Sequence, residues 1–254
     1  MRLVIIGSGN VAHFFASRWS VHHRIVQVIS RHPEHARALA HTYHAQFTTH
    51  LHEITPDMDA CILAVNDDAL MEIAAKLRLS HQLVVHTSGS QSIELLRNVS
   101  PNYGVIYPLQ TISKNIPIRH PFPLLIESSH AEALQQIRLL AGDISENIQE
   151  VNSATRRQYH LIAVFANNFV YHLLAEVKKY CETHELIFDE CLPLVAETID
   201  RVAAYPAFSQ QTGPAKRNDQ QTIRIHESML TDEPELQVLY RIFTHQIRKR
   251  HAHD

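Results

Sequence analysis

The sequence contains very little glycine, only 6 residues in a chain of 254. Average proteins contain about 7% glycine, so this scarcity excludes a collagen-like chain, a Gly/Ser linker and a low-complexity repeat. Hydrophobic residues make up 45% of the chain, which is enough for a real core in one large domain or two small ones. Because glycines are so few, the position of each one is informative.

Cysteine is also scarce, and the sequence has neither a long apolar run nor a large excess of either charge. Three cysteines without metal-type spacing predict free thiols in a reducing cytoplasm. No apolar run reaches the ~20 residues of a membrane span, and the short apolar N-terminal segment lacks a secretory cleavage site. A formal net charge of −3 gives no electrostatic case for nucleic acid or an anionic membrane as partner. We therefore expect a cytoplasmic protein that binds small molecules.

Histidine, by contrast, is abundant, with 20 residues and a dense group between His32 and His52. A metal site needs three or four ligands that converge in space. The spacing here is irregular, and even His41 and His44, which could share a helix face, have no third ligand motif beside them. We interpret most histidines as surface residues and predict no metal site.

Residues 1–150 alternate between short runs rich in Val and Ile and helical stretches. The predicted strands are Leu3–Ile6, Arg24–Ile29, Ala60–Val65, Leu83–His86, Gly104–Tyr107 and residues 121–127. The predicted helices between and after them are Asn10–Ser20, Glu34–His44, Asp68–Leu77, Ser92–Asn98 and Ala131–Leu140. This alternation predicts an α/β fold, with a mostly parallel sheet that carries helices on both faces.

After about residue 152 the pattern becomes helical throughout. The predicted helices there are Ala154–Thr183, Asp189–Ala203, Asp219–Met229 and Pro234–Arg250, the last with Thr231 or Asp232 as its N-cap. We therefore predict two domains, residues 1–150 with the sheet and residues 151–254 as an all-helical domain.

The sharpest local signal is a strand that runs through Gly-x-Gly-x-x-Ala into a helix. Gly7 permits the tight turn, Gly9 lets the backbone approach a pyrophosphate, and Ala12 allows close packing of helix on strand. The other loop residues predicted to contact the cofactor are Ser8, Asn10 and Val11. An ordinary strand–helix turn is the alternative. The motif predicts a Rossmann-type dinucleotide-binding domain over residues 1–150.

The end of the second strand indicates which dinucleotide binds. An NAD site usually has Asp or Glu there to accept a hydrogen bond from the ribose 2′-hydroxyl. This chain has Ser30 and Arg31 instead, and a guanidinium and a hydroxyl suit a 2′-phosphate. The sequence therefore favours NADP, unless Arg31 merely starts a solvated helix.

Polar residues follow three further strands, at the edge where open parallel sheets bind ligands. After the first, Val65 and Asn66 are predicted to contact the cofactor, and Asp67 or Asp68 to cap the next helix. After the second come Thr87, Ser88 and Gly89, which suit an anion or carbonyl near the nicotinamide, although a simple N-cap turn is an equal alternative. After the third come Gln110 and Thr111, which are available to a substrate.

The helical half has two polar features of interest. His160 and Asn167 lie about two turns apart on an apolar helix, with Asn168 beside them, which indicates a polar cleft. A satisfied core histidine is the alternative. Arg217 lies in a turn before a helix and could clamp an anionic substrate. A solvated basic turn with Asp219 as N-cap is equally compatible with the local sequence.

Taken together, these segments resemble a family of NADP-dependent oxidoreductases in which a Rossmann-like domain precedes a helical domain of unknown function. The resemblance covers essentially the whole chain. It is carried by Gly-x-Gly-x-x-Ala, Ser30-Arg31, His86-Thr87-Ser88-Gly89, Pro108-Leu109-Gln110-Thr111, Tyr159-His160 with Asn168, and Gly213-Pro214 with Arg217 and Asp219. The wider superfamily is similar to ketopantoate reductase, pyrroline-5-carboxylate reductase and the hydroxyisobutyrate-type dehydrogenases. The resemblance implies a nicotinamide cofactor and a homodimer formed through the helical domain.

Hydroxyisobutyrate-type enzymes carry a catalytic Lys where this chain has Val164, so a Lys-based mechanism does not transfer. We predict His160 as the general acid/base, Asn168 and Ser88 as hydrogen-bonding partners of the substrate, and Arg217 as an anion clamp. Thr87, Gly89, Gln110 and Asn167 complete the predicted substrate site. The expected activity is hydride transfer between NADP and a small carbonyl or imine substrate, and the alternative is a dinucleotide-binding sensor without catalysis.

Overall fold

The computed structural model describes residues 1–114 and 116–252, and it divides into two compact units, Met1–Asn167 and Asn168–Asp254. Within the described residues, the first unit contains an eight-stranded sheet and five α-helices, and the second contains four α-helices. The division falls after Asn167, whereas the sequence pattern changes near residue 150, because the helix Ser153–Ala163 belongs to the first unit.

The sheet has the strand order β3-β2-β1-β4-β5-β6-β7-β8. The strands are β1 (Arg2–Ile6), β2 (Arg24–Ile29), β3 (Gln46–Thr48), β4 (Ala60–Leu63), β5 (Leu83–His86), β6 (Tyr103–Pro108), β7 (Leu124–Ser128) and β8 (Ile148–Glu150). Neighbouring strands are parallel except for the β6–β7 pair. The predicted mostly parallel α/β sheet is confirmed, and the chain reverses its direction of winding at β1 and β4, where such sheets bind ligands.

The central strands are buried on both faces, as near-continuous apolar runs predict. In β1, Leu3 and Ile5 contribute to one core, and Val4 and Ile6 contribute to the other. The first core is covered by α1 (Asn10–Trp19), α2 (Pro33–Thr42) and α4 (Ala131–Gly142), and the second by α3 (Asp67–Lys76). Alternate side chains of one strand thus hold the helices on opposite faces.

Several predicted elements differ in extent. Strands β3 and β8 were not predicted, because each has only three residues and they are largely exposed. The strand expected over residues 121–127 begins only at Leu124, since Pro121 and Pro123 have no N–H to donate to a ladder. The helix expected over Ser92–Asn98 is a single 3₁₀ turn, Ile93–Leu96, with Ser92 at its N-cap and the Ile93 amide donating to Ser153 Oγ at 3.0 Å.

The long helix predicted over Ala154–Thr183 is interrupted. The structure has α5 (Ser153–Ala163), a π-helical turn (Val164–Phe169) and α6 (Val170–Thr183). No Gly or Pro marks the interruption in the sequence, so the apolar pattern gave no signal for it. π-Turns within helices are frequent at functional sites, and this one contains both Asn167 and Asn168.

The second unit contains α6 and three further helices, α7 (Leu192–Ala204), α8 (Gln220–Met229) and α9 (Pro234–Arg250). Helix α9 begins where predicted, but Glu233 occupies its N-cap position, so the prediction of Thr231 or Asp232 was wrong. Proline at the first helical position of α9 fixes the start, because its missing N–H would have no partner there in any case. No helix in the described part of the chain is long and apolar enough to cross a membrane.

Candidate functional site

A cleft of about 540 Å³ opens at the ends of β1, β2 and β4 in the first unit. Its lining includes every residue that the sequence predicts for the cofactor, and it also includes Thr87 after β5. The predicted cofactor residues in the lining are Gly7, Ser8, Gly9, Asn10, Val11, Ser30, Arg31, Val65 and Asn66. Three separate loops therefore meet at one cleft, as expected from the carboxyl ends of parallel strands.

The turn after β1 requires glycine at position 7. Gly7 has a φ of +124°, and a Cβ added to it would lie 2.1 Å from the backbone oxygen of Ala64. Gly7 also donates its N–H to the Ile29 carbonyl at 2.8 Å, which ties the turn to the end of β2. A Cβ added to Gly9 would meet no other protein atom within 4 Å, because this residue lines the open cleft.

Helix α1 begins without a side-chain cap for its first amides. Gly9 is its N-cap and provides no side-chain hydrogen bond, and its first turn has no acidic residue. In contrast, Asn66 caps α3 by accepting from the Ala69 amide at 3.0 Å, so the prediction that Asp67 or Asp68 would be this cap was wrong. Uncapped amides and the positive end of a helix dipole form an anion site. The start of α1 thus fits a pyrophosphate.

The end of β2 adds two hydroxyls and a cation to the cleft. Ser8 Oγ and Ser30 Oγ are 2.8 Å apart, which joins the loop after β1 to the end of β2. Arg31 lines the cleft with its side chain exposed, where it can move toward an anion. This set of groups fits the 2′-phosphate of NADP better than a bare ribose, for which a carboxylate acceptor is usual.

The loop after β5 is held by Asp67. Ser88 Oγ donates to Asp67 at 2.7 Å, Ser90 Oγ donates to the same carboxylate, and the Gln91 amide donates to Ser88 Oγ at 3.1 Å. Partial burial would raise the pKa of Asp67, but the hydrogen bonds from Ser90 and Ser88 outweigh it and lower the pKa. The Ser88 hydroxyl is therefore engaged within the protein, and its contact with a substrate stays a prediction.

His160 on α5 lies against this loop. A Cβ added to Gly89 would be 2.8 Å from the His160 ring and 2.8 Å from Tyr107 Cζ, so only glycine permits this packing. The Tyr107 hydroxyl, at the end of β6, lies 3.0 Å from His160 Nδ1. Burial raises the pKa of Tyr107, so the phenol stays protonated near neutral pH. A half-buried imidazole with one nitrogen held and the other available suits proton transfer.

The remaining predicted substrate residues come from both units. Asn167, in the π-turn, donates to Thr111 Oγ1, whereas Gln110 is exposed and accepts from the Thr111 amide at 2.8 Å. Asn168 and Arg217 belong to the second unit, where both are exposed. Asp219 caps α8 by accepting from the Thr222 amide at 3.1 Å, as the alternative interpretation of that turn expected. The substrate roles of these residues stay predictions.

Three residues of the site were missed by sequence reasoning. The sequence pattern places Tyr107 at the end of a strand and Asp67 at a helix cap. It gives no sign that Arg156 is fully buried, because an Arg on a helix is usually solvated. Only Tyr107 had a usable signal, since it directly precedes the polar segment after β6. Among the residues that the structure describes, no group of three or more His, Cys, Asp or Glu side chains is arranged to hold a metal ion.

The fold and cleft define a dinucleotide-binding oxidoreductase architecture. Residues 2–89 match the family described as NADP oxidoreductase, coenzyme F420-dependent, and residues 122–247 match a domain of unknown function, DUF2520. The candidate NADP oxidoreductase BF3122 of Bacteroides fragilis is 35% identical, with a TM-score of 0.89 and 98% of each chain covered. The chain belongs to this family of NADP oxidoreductases with a C-terminal DUF2520 domain, which confirms the resemblance.

More distant structures share the fold. A reductive aminase from Aspergillus terreus, in complex with NADPH and ethyl-5-oxohexanoate, is 12% identical, with a TM-score of 0.73, 98% of this chain and 94% of that chain covered. A 1-pyrroline-5-carboxylate reductase from Streptococcus pyogenes is 13% identical, with a TM-score of 0.62 and 98% of each chain covered. No curated protein sequence matches the chain.

The buried His86 predicts a pH-dependent stability. Its side chain is 0% exposed, Nδ1 accepts from the Ser88 amide at 3.2 Å, and burial with nearby Arg156 lowers its pKa from 6.5 to about 3. Between these values only the unfolded chain binds the proton, so stability falls as pH decreases from 6.5 toward 3. The slope from one such group is at most about 1.4 kcal/mol per pH unit.

We expect His86→Gln to flatten this slope in urea unfolding measured between about pH 7 and about pH 5. The exposed His81 provides the control, and His81→Gln should retain the wild-type slope. Parallel profiles for wild type and His86→Gln would show that His86 is not held neutral in the folded protein.

Proposed function

We propose that this protein is an NADP-dependent oxidoreductase that moves a hydride between the nicotinamide and a small carbonyl or imine substrate. The observation that carries the proposal is the position of the His160–Tyr107 pair beside the loop after β5, whose Thr87 also lines the dinucleotide cleft. A redox cofactor site and a proton-handling pair thus share one edge of the sheet. NADPH, when bound, supplies the hydride from its nicotinamide.

The first unit supplies the groups that would hold NADP. The uncapped start of α1 and the Gly7–Asn10 loop would bind the pyrophosphate, and Ser30 with Arg31 would bind the 2′-phosphate. Val65, Asn66 and Thr87 line the part of the cleft nearest β4 and β5 and would face the nicotinamide half.

His160 would manage the proton. Its Nδ1 is held by the Tyr107 hydroxyl, which leaves Nε2 to give a proton to a substrate oxygen or nitrogen as the carbon is reduced, or to accept it in the reverse direction. In this scheme His160 replaces the Lys that is missing at Val164.

Two relatives support the choice of substrate class. The reductase and the reductive aminase that share this fold carry names that refer to a cyclic imine and to amine formation, and the aminase was solved with NADPH and a keto ester. Both are too distant to transfer a substrate, so carbonyl and imine compounds are the class to test.

A dinucleotide sensor without catalysis is the second candidate. Val164, in the π-turn, stands where related dehydrogenases carry their catalytic Lys, and this observation favours the sensor. Oxidation of NADPH, followed by absorbance across a panel of keto acids and cyclic imines, separates the two functions. Turnover of any compound supports the enzyme, whereas tight binding of NADPH without turnover supports the sensor.

Arg31→Ala should weaken NADPH binding by about 10- to 100-fold, because it removes a charge-assisted hydrogen bond to the 2′-phosphate. NADH, which lacks that phosphate, should bind within about twofold of its wild-type affinity. Isothermal titration with both nucleotides measures the difference. Arg37→Ala is the matched control, since Arg37 lies on α2 over the Phe47 ring and outside the cleft lining. Equal weakening of both nucleotides would contradict the assignment of Arg31.

His160→Ala should leave NADPH affinity unchanged and lower kcat by about 10²- to 10⁴-fold, the range for loss of a general acid/base. Single-turnover kinetics on the best substrate of the panel measure the effect. His41→Ala, at an exposed position on α2, should have wild-type kinetics. If kcat is unchanged in His160→Ala, the proton passes through another group.

We also propose that the protein is a homodimer formed through its helical unit. Helix α7 buries none of its residues, and Leu192, Val195, Ile199 and Val202 follow one another on one face. Ile199 is 59% exposed and Val202 is 76% exposed. Soluble monomers rarely leave an apolar face of this length open to water, so a second copy would cover it.

Sedimentation should give a mass of about twice the 29.1 kDa of one chain. Placing a charge in the apolar face, as in Val202→Asp, should shift the equilibrium to monomers because an unpaired charge would be buried. Leu139→Asp on α4 is the control, since Leu139 is 58% exposed and lies in the first unit. A wild-type monomer would contradict the proposal.

A further inference from the structure

Arg156 is a cation with no exposure to solvent, one helical turn before His160 on α5. Its side chain is 0% exposed, and its ion-pair partner Glu127 on β7 is 14% exposed. The guanidinium donates to the Glu127 carboxylate, to the backbone carbonyl of Gln91, and to Ser153 Oγ at 3.2 Å. Burying a charge is costly unless it is paired and hydrogen-bonded, so this arrangement is strongly constrained.

Ser153 and Glu127 extend the same network. The Glu127 carboxylate accepts from the Ser153 amide at 2.8 Å and from the Ser153 hydroxyl at 2.7 Å. Ser153 Oγ in turn accepts from the Ile93 amide at 3.0 Å. We call Glu127, Ser153 and Arg156, with the main chain of residues 91–93, the buried brace. It joins three elements: β7, the start of α5, and the chain that follows the loop after β5.

The buried brace is close in sequence to both sides of the contact between His160 and Gly89. Gly89 precedes Gln91 by two residues, and His160 follows Arg156 by four, so both ends of the brace lead into the site. The packing of His160 on Gly89 leaves no room for even one carbon atom, and the hydrogen bond to Tyr107 spans 3.0 Å. A slide of α5 by a fraction of an ångström would therefore change both contacts.

On its other side the same loop is fixed by Asp67, through Ser88 and Ser90. Asp67 thus holds the loop on one side, and Arg156 holds the chain that follows it on the other. The buried brace fixes the position of α5 along its axis relative to the loop. The electrostatic influence of Arg156 also reaches this site, where the positive charge acts to lower the pKa of both His86 and Tyr107.

We propose that Arg156 is a positioning residue for His160: through Glu127 and Gln91 it fixes the imidazole ring against Gly89 and aims Nδ1 at the Tyr107 hydroxyl. The functional importance of this position rests on the proposed function, in which His160 transfers the proton. A purely structural ion pair would stabilise the fold without controlling the state of the ring.

The chain offers a matched comparison within the first unit. Arg138 and Glu150 form an ion pair at 2.9 Å, with side chains that are 50% and 49% exposed. That pair joins α4 to β8 and has no described contact with His160. Arg138→Lys and Arg156→Lys therefore make the same chemical change, one in an exposed pair and one in the buried brace.

The test is nuclear magnetic resonance of protein with ¹⁵N-labelled histidine, recorded without cofactor or substrate. The His160 signals are assigned by their loss in His160→Gln. Spectra are compared over the pH range in which the ring is neutral, and there we expect one tautomer in wild type because Nδ1 has one fixed partner, the Tyr107 hydroxyl. Arg156→Lys keeps the positive charge but loses the planar guanidinium, whose several N–H donors contact Glu127 and Gln91 together. The His160 signals should then show a mixture of tautomers or exchange broadening. Arg138→Lys should leave the His160 signals unchanged.

Glu127→Gln is the second variant, since it keeps the shape of the brace and removes its negative charge, and should also disturb the ring. Wild-type His160 signals in either variant, if it is folded, would overturn the proposal. Loss of folding in both variants would overturn it as well, because the brace would then be only a structural element.

Turnover provides an independent readout. If wild type is active, Arg156→Lys should lower kcat by about tenfold with little change in KM for NADPH, and should have no further effect in the His160→Ala background. An equal loss of kcat in both backgrounds would contradict a role through His160. Absence of turnover in wild type would overturn the proposed function alone, because the ring spectrum is read without a reaction.

Discussion

The candidate site depends on one close approach, that of α5 to the loop after β5 at Gly89. A side chain there would collide with both His160 and Tyr107, so the hydrogen bond between these residues exists only because position 89 has no Cβ. The loop itself is held by Asp67 from one side and by the buried brace from the other. This packing brings a polar pair from separate parts of the chain to the sheet edge that carries the dinucleotide cleft.

The cleft follows from a similar constraint at Gly7. The turn after β1 passes so close to Ala64 at the end of β4 that only glycine fits, and it leaves the first amides of α1 without a side-chain cap. Uncapped amides at a helix start are retained where a ligand satisfies them. Two of the few glycines in this chain therefore define the two halves of the candidate site, the proposed cofactor half and the proposed proton-handling half.

Sequence reasoning predicted many of the residues that line the cleft, because they lie in contiguous segments with a strong local pattern. The glycine motif and the Ser30-Arg31 pair are each recognisable from the order of residues alone, and both line the cleft. In the proposed proton-handling half, the sequence pointed to His160 and to Ser88 and Gly89 of the loop after β5, but not to Tyr107. Tyr107 lies on β6 and Arg156 lies near the start of α5. Their importance depends on contacts between segments that are far apart in the sequence. The π-turn and the three-residue strands β3 and β8 likewise leave no periodic signal in the sequence.

A crystal structure with NADP⁺ bound would show where the reacting end of the cofactor lies relative to His160. We expect the pyrophosphate at the start of α1 and the nicotinamide beyond β4 and β5, with His160 Nε2 and the Tyr107 hydroxyl bordering the space over its reactive carbon. A nicotinamide directed away from His160, with Tyr107 and Gly89 outside the substrate space, would contradict it.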